Sequence, residues 1–263
     1  MHSAIAIIIY MSIVHLPTIS IYWNTDPMYN FQFIRKVMSQ DKFLRILRFL
    51  HFSDEDNDKI NGKDIDATYK IQHVIDMLLL RFQSAYRPGR NIIVNESVML
   101  WRGRLPFDQY IPNKRATFRL KTFVLAECEI GYVYNLKLYT GQLLRELNSK
   151  PLGASGSIIL HLTKHLLQGR TLFLNNYHPV LYEILHKNGT NVYAIVRLKR
   201  KEMPCYGTIA RDINRLEKEQ MLVRYNEIVA FSVCKDKKLV STLTTVHALR
   251  LVMSTPQKNS MSF

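Results

Sequence analysis

The chain of 263 residues is 47% apolar and 11% aromatic, which suits one large domain with a core or two small ones and excludes a disordered polymer. Its formal charge of +15 favours a polyanionic partner, nucleic acid first and an anionic membrane surface second. The three cysteines, Cys128, Cys205 and Cys234, are far apart, with no CxxC pair and no Cys/His zinc spacing, so they read as reduced thiols in a reducing compartment.

The first element is "AIAIIIYMSIV", Ala4 to Val14. It lacks the basic leader and small-residue cleavage site of a secretion signal, and it is shorter than the about 20 residues that span a bilayer. It reads as a buried helix whose partner would lie upstream. "SQDKFLRILRFLHF" is a helix with Ser39 as N-cap and Phe43, Ile46, Leu47 and Leu50 on one face. The acidic "SDEDNDKINGKDID" is a solvated linker. It is not a calcium loop, because Gly62 is misplaced and no Glu closes it. "YKIQHVIDMLLLRFQSAY" is a second helix with a stripe of Ile71, Val74, Ile75, Leu78 and Phe82, stopped by "RPGR".

From here the hydrophobic period changes to two. "NIIVNESVML", "FRLKTFVLAE" and "YVYNLKLYTG" are strands, the last two joined by a hairpin at "CEIG". "SGSIILHLTKHLLQG" is a helix with Ile158, Ile159, Leu162 and Leu166 inward and Gly169 at its end. "RTLFLNN" is a fourth strand, "PVLYEILHKNG" a short helix and "NVYAIVRL" a fifth strand. "NEIVAFSVCKDKKLVSTLTT" adds one or two more strands. The expected fold class is α/β. A mixed βββαβαβ sheet over residues 91–263 follows a helical segment over residues 1–90.

That order suggests a ribonuclease H-like sheet. Two-metal chemistry on such a sheet needs carboxylates from separate strands converging on two cations. The first strand is instead expected to present Asn95-Glu96 at its end, and the fourth Asn175-Asn176. An amide oxygen brings no negative charge. Other acids stand nearby: Glu96, Glu127 and Glu129. Successive strand residues point to opposite faces, so Glu96 turns away if Asn95 faces the site. Glu127 ends the second strand and could approach the pocket.

Basic residues are plentiful. Arg102, Arg104, Lys114, Arg115, Arg119 and Lys121 stand against a single acid, Asp108, and Arg197, Lys199, Arg200 and Lys201 follow later. With Trp101, Phe107, Tyr110 and Phe118 between them, they suit phosphate contacts that do not read base sequence. A solvated basic face over core aromatics is the alternative. His161 and His165 have zinc-compatible spacing but no Glu in the required pattern, and His178 stands alone, so none is assigned a metal.

"NESVMLWRGRLPFDQYIPNK" resembles the signature of piggyBac transposases. "YWNTDPMYNFQFIRKVMSQDKFLRILRFLHFSDEDN", "GYVYNLKLYTG", "FLNNYHPVLYEILHKNGTNVYAIVRLKRKEMP" and "VCKDKKLVSTLTT" resemble further family segments in the same order, over roughly residues 20 to 250. The resemblance implies a three-carboxylate transposase core that acts on DNA with Mg²⁺ or Mn²⁺. Its first catalytic Asp aligns with Asn95 and its second with Asn175. Its third would fall beyond residue 263, as would a cysteine-rich zinc module. Asp236 matches an Asp that the family keeps beside its triad, with a structural role.

The expectation is therefore a piggyBac-derived domain, nuclear and catalytically inactive. It would hold no metal cofactor and would bind DNA through the basic residues above, with no membrane partner. Homo-oligomerisation, or pairing with an intact family member that it blocks, is one alternative role. A residual metal-dependent nuclease and a decayed copy with no role are the others.

Overall fold

The computed structural model describes residues 1–53, 68–100, 109–110, 118–140, 152–175, 179–198, 206–225 and 228–246. The chain divides into two compact units, Met1–Lys63 and Asp64–Phe263.

The first unit is helical. It holds α1 (His2–Ile13), two 3-10 turns (Ile19–Trp23 and Pro27–Tyr29), α2 (Gln32–Val37) and α3 (Gln40–Phe49). Ala4, Ile7, Tyr22, Ile34, Met38 and Phe43 form its core. The Trp23 indole donates to the Met38 carbonyl at 2.8 Å, and the Tyr22 hydroxyl donates to the Val14 carbonyl. Ser39 caps α3 as its sequence predicts, with Lys42 N–H donating to its hydroxyl at 3.4 Å. The expectation of a buried first helix needs correction. Ala4 and Ile7 are buried, whereas Ile5, Ile8, Ile9 and Ile13 are exposed. A helix that is apolar on every side carries no periodic signal to say which side turns inward.

The second unit begins with α4 (Tyr69–Ala85), which the sequence grouped with the N-terminal helices. There follow β1 (Asn91–Leu100), β2 (Gln109–Tyr110), β3 (Phe118–Glu127), β4 (Val133–Leu138), α5 (Gly153–Thr163), β5 (Thr171–Asn175), α6 (Pro179–Lys187) and β6 (Asn191–Val196). The described residues end with α7 (Tyr206–Arg215), β7 (Met221–Tyr225), β8 (Ala230–Lys235) and β9 (Leu239–Thr244). The strands form one sheet in the order β2-β3-β1-β5-β6-β9-β8-β7, with β4 also paired to β3. β3 runs antiparallel to both β1 and β4, and β1, β5 and β6 are mutually parallel. This is the ribonuclease H-like arrangement. The β9-β8-β7 meander extends it past β6.

The main core lies on one face of this sheet. Ile92, Val94, Leu125, Leu172, Leu174, Val192 and Ala194 pack with Ile158, Ile159, Leu162 and Leu166 and with apolar residues of α6 and α7. Leu166 is inward as expected, but α5 stops at Thr163 and not at Gly169. In its last turn the Thr163 hydroxyl donates back to the Ile159 carbonyl at 2.8 Å.

α4 also departs from its predicted stripe. Ile71 and Leu78 are exposed, and no residue of the helix is fully buried. Its inward face follows what it touches. Tyr132 packs against Phe82 and Tyr86, and its hydroxyl donates to the Phe82 carbonyl at 3.0 Å. Higher up, Gln72, Ile75, Asp76 and Leu79 face Leu136, Lys137 and Leu138 of β4. Gln72 and the exposed Asp76 thus share with Ile75 and Leu79 the side of the helix that lines this cleft, which an apolar count cannot foresee. No helix of the described residues is long and apolar enough to cross a membrane.

The β3–β4 hairpin forms at the predicted "CEIG". Its turn is closed by Glu127, only 2% exposed, whose carboxylate accepts from Glu129 N–H at 3.0 Å and Ile130 N–H at 2.9 Å. Gly131 follows with φ +70°, where a Cβ would be strained. Glu127→Ala strips both turn donors of their acceptor. It is expected to lower stability by about 1–3 kcal/mol in urea unfolding, and a loss under about 0.5 kcal/mol would refute this role.

Candidate functional site

The parallel ladder sets the geometry. Ile92, Ile93 and Val94 of β1 stand in register with Leu172, Phe173 and Leu174 of β5. Those β5 residues are in register with Val192, Tyr193 and Ala194 of β6. One step on, Asn95 and Asn175 follow Val94 and Leu174 on adjacent strands, just past the β1–β5 ladder, and Asn175 is paired with Ile195; Asn95 is not at its strand's end as expected, because pairing with β3 carries β1 on to Leu100. Even-numbered positions carry the buried core, so the two asparagines share the opposite face with Ile93, Phe173 and Tyr193. Both asparagines are exposed. The Asn95 side-chain oxygen accepts from Glu96 N–H at 2.9 Å. Arg197, also exposed, follows β6 two residues beyond Ile195, at the same end of the sheet.

Two neighbouring primary amides present both donors and acceptors and carry no charge. Such a pair can hydrogen-bond a phosphate oxygen, a sugar hydroxyl or a base edge. It supplies no charge balance for cations.

Glu96 faces away from the asparagines. It is paired in register with Phe123, a core residue that is 1% exposed. Its carboxylate binds Lys121 Nζ at 2.7 Å. That same ammonium lies over the Phe123 ring at 4.9 Å and the Tyr139 ring at 4.8 Å. The charge of Lys121, which the sequence grouped with the phosphate ligands, is thus already engaged. Burial, and after it the Glu96 charge, push the Tyr139 phenol above its usual value of 10.0. This four-residue cluster is absent from the sequence reading. Only the register, which places residues 96 and 98 opposite 123 and 121, reveals it.

Glu127 does not approach the asparagines. It pairs with Ile92, whereas Asn95 pairs with Val124, so three residues of strand separate them, and they lie on opposite faces. Glu129 is exposed in the hairpin turn. Asp236 sits in the β8–β9 turn, where its N–H donates to the Lys238 carbonyl at 3.3 Å. Cys128 has its thiol pKa raised, first by partial desolvation and then by Glu127 and Glu129, which favours its protonated form.

Because α5 stops at Thr163, His161 and His165 do not share a helix face. No cluster of three or more His, Cys, Asp or Glu residues occurs among the described residues. Arg119 is paired through its backbone with Leu100 and Gln109. Arg102, Arg104, Lys114, Arg115, His178, Lys199, Arg200, Lys201 and Cys205 lie outside the described residues.

Residues 1–262 match the family model described as Transposase IS4. The fold is similar to a cryo-EM structure of a piggyBac transposase in a synaptic complex with hairpin DNA, with a TM-score of 0.77 at 19% identity. The match covers 94% of this chain and 52% of that one, so the chain spans about half the length of that transposase.

The Tyr139 environment gives a titration test. Glu96→Gln removes the smaller of the two causes, so the Tyr139 pKa falls but stays above 10.0. In wild type the folded state holds this proton more tightly, so stability is full below pH 10 and declines as pH rises through the folded pKa. Phenolate absorbance read against Tyr139→Phe checks this. An unchanged pKa in Glu96→Gln would refute the coupling.

Proposed function

Since the chain belongs to the Transposase IS4 family, of piggyBac type, we propose that it is a nuclear DNA-binding domain that has lost transposase chemistry. The carrying observation is that Asn95 and Asn175 directly follow the paired Val94 and Leu174 on adjacent parallel strands. By the resemblance of the flanking motifs, these positions would hold two of the family's catalytic carboxylates. Replacing both by amides removes two negative charges from a site that has to balance two dications. The Asn95 oxygen is also occupied by Glu96 N–H. This donor set does not fit Mg²⁺ or Mn²⁺, and no catalytic step is assigned to it.

Binding to DNA is supported by charge. Residues 1–63 hold 7 Lys and Arg against 6 Asp and Glu, and residues 64–263 hold 29 against 15. The excess of 14 in the second unit therefore accounts for nearly all of the +15. A surplus of that size in the unit that carries the sheet attracts a polyanion. The neutral asparagine pair also removes the repulsion that two carboxylates would exert on phosphate. On this reading Arg197 is a phosphate ligand at the site's edge, together with the basic residues around 102–119 and 199–201. Lys121, held by Glu96 and two rings, is a structural cation.

Two experiments test the proposal. Fluorescence anisotropy with duplex DNA at several salt concentrations is expected to give a log–log slope of magnitude about 4 or more. No binding near physiological salt would overturn the DNA role. Titration with Mn²⁺ is expected to show no tight site in wild type and a gain of affinity in the Asn95→Asp, Asn175→Asp double variant. Equal affinity in the two proteins would overturn the account of the asparagine pair.

A further inference from the structure

The core of the second unit draws on one face of the parallel ladder. Ile92, Val94, Leu172, Leu174, Val192 and Ala194 belong to it, and no odd-numbered residue of β1, β5 or β6 does. On the other face Ile93, Phe173 and Tyr193 stand level across the three strands. All three are partly buried, and Ile195 beyond them is 50% exposed. None of the four joins a hydrophobic cluster of the described residues. The rings of Phe173 and Tyr193 lie 5.9 Å apart, tilted by 47°. Scattered apolar residues are ordinary on a surface, whereas a contiguous strip that no core claims marks a contact surface.

The groups around the strip say what it contacts. Asn95 and Asn175 follow Ile93 and Phe173 by two residues on the same face, about 7 Å along the strands. The Asn95 oxygen accepts from Glu96 N–H, so the amide presents its NH2 to a ligand. The exposed Arg197 follows Tyr193 by four residues, and the unit holds 29 Lys and Arg against 15 Asp and Glu. An apolar protein surface would answer the rings and leave the amides and the positive charge unmatched. A nucleic acid with exposed bases answers all of them, with a π-face for the rings, a donor–acceptor edge for the amides and phosphates for the cations.

In a duplex the bases are stacked on one another and their pairing edges are taken, so only unpaired bases can offer both. We propose that this face is a platform for unpaired nucleotides. One or two bases stack on the Phe173 and Tyr193 rings, their edges reach the Asn95 and Asn175 amides, and Arg197 takes a phosphate. The inference rests on the DNA-binding reading above and narrows it, since it gives the sheet face a preference for single-stranded segments that the net charge alone does not supply.

Three probes at one salt concentration test this by anisotropy: a single strand of about ten nucleotides, the same strand with tetrahydrofuran spacers in place of its bases, and the duplex. The two single strands carry the same phosphates. Wild type is expected to bind the strand with bases about 10-fold or more tighter than the abasic one. Equal affinity for the two overturns the platform, while duplex binding beside it leaves the DNA role standing. Binding of none of the three overturns the DNA role itself, and the platform with it. Replacing both rings, Phe173→Leu with Tyr193→Leu, keeps apolar bulk. It is expected to lower single-strand affinity to the abasic level and to leave duplex affinity within about twofold. An equal loss on single strand and duplex overturns the platform, as does a wild-type dimer that the leucine pair dissolves. If that variant fails to fold, the comparison of the two strands on wild type decides.

Discussion

The in-register pairing of three parallel strands governs this molecule. Asn91, Thr171 and Asn191 stand level with one another, and every later position follows from that alignment. Because a strand alternates its faces, Ile92, Leu172 and Val192 all go into the core, and so do Val94, Leu174 and Ala194. Asn95 and Asn175 are then forced onto the other face as neighbours. A slip of one residue in either strand would bury an amide and expose a leucine or valine, so burial of the core enforces the geometry of the asparagine pair.

The same alternation separates two adjacent residues into different roles. Asn95 lies on the face of the candidate site, whereas Glu96 lies among the core-side residues and closes on Lys121 at 2.7 Å. The nearest carboxylate in sequence is therefore held by a cation and two aromatic rings. Glu127 is held in another way, as the acceptor of two turn N–H groups at the far end of β1. Glu96 and Glu127 thus have structural roles of their own, and Glu129 is exposed in the hairpin turn. On the proposed reading, what remains is a strongly basic unit with a neutral amide pair on its sheet, suited to contacting a phosphate backbone and lacking the charge to manage cations.

Much of the fold was legible in the sequence. Strand period, turn residues and helix caps placed β1 and β3 at their observed limits and put Ile158, Ile159, Leu162 and Leu166 inward. Ile209, Ile213 and Leu216, spaced four and three apart, could have announced α7, and the short "MLVRY" could have announced β7. What stayed hidden depends on partners distant in sequence. The inward side of α4 is set by Tyr132 and β4, and that of α1 by Tyr22, Ile34 and Phe43. The Lys121 cluster requires the β1–β3 register. The asparagine positions were legible in the sequence. Their adjacency comes from the sheet.

The central claim is that this domain holds DNA without cutting it. The most direct measurement incubates supercoiled plasmid with wild-type protein in Mn²⁺, and resolves retardation and nicking on the same sample. The account predicts a retarded plasmid that stays supercoiled once the protein is removed. Nicking that requires Mn²⁺ and stops with EDTA would contradict it.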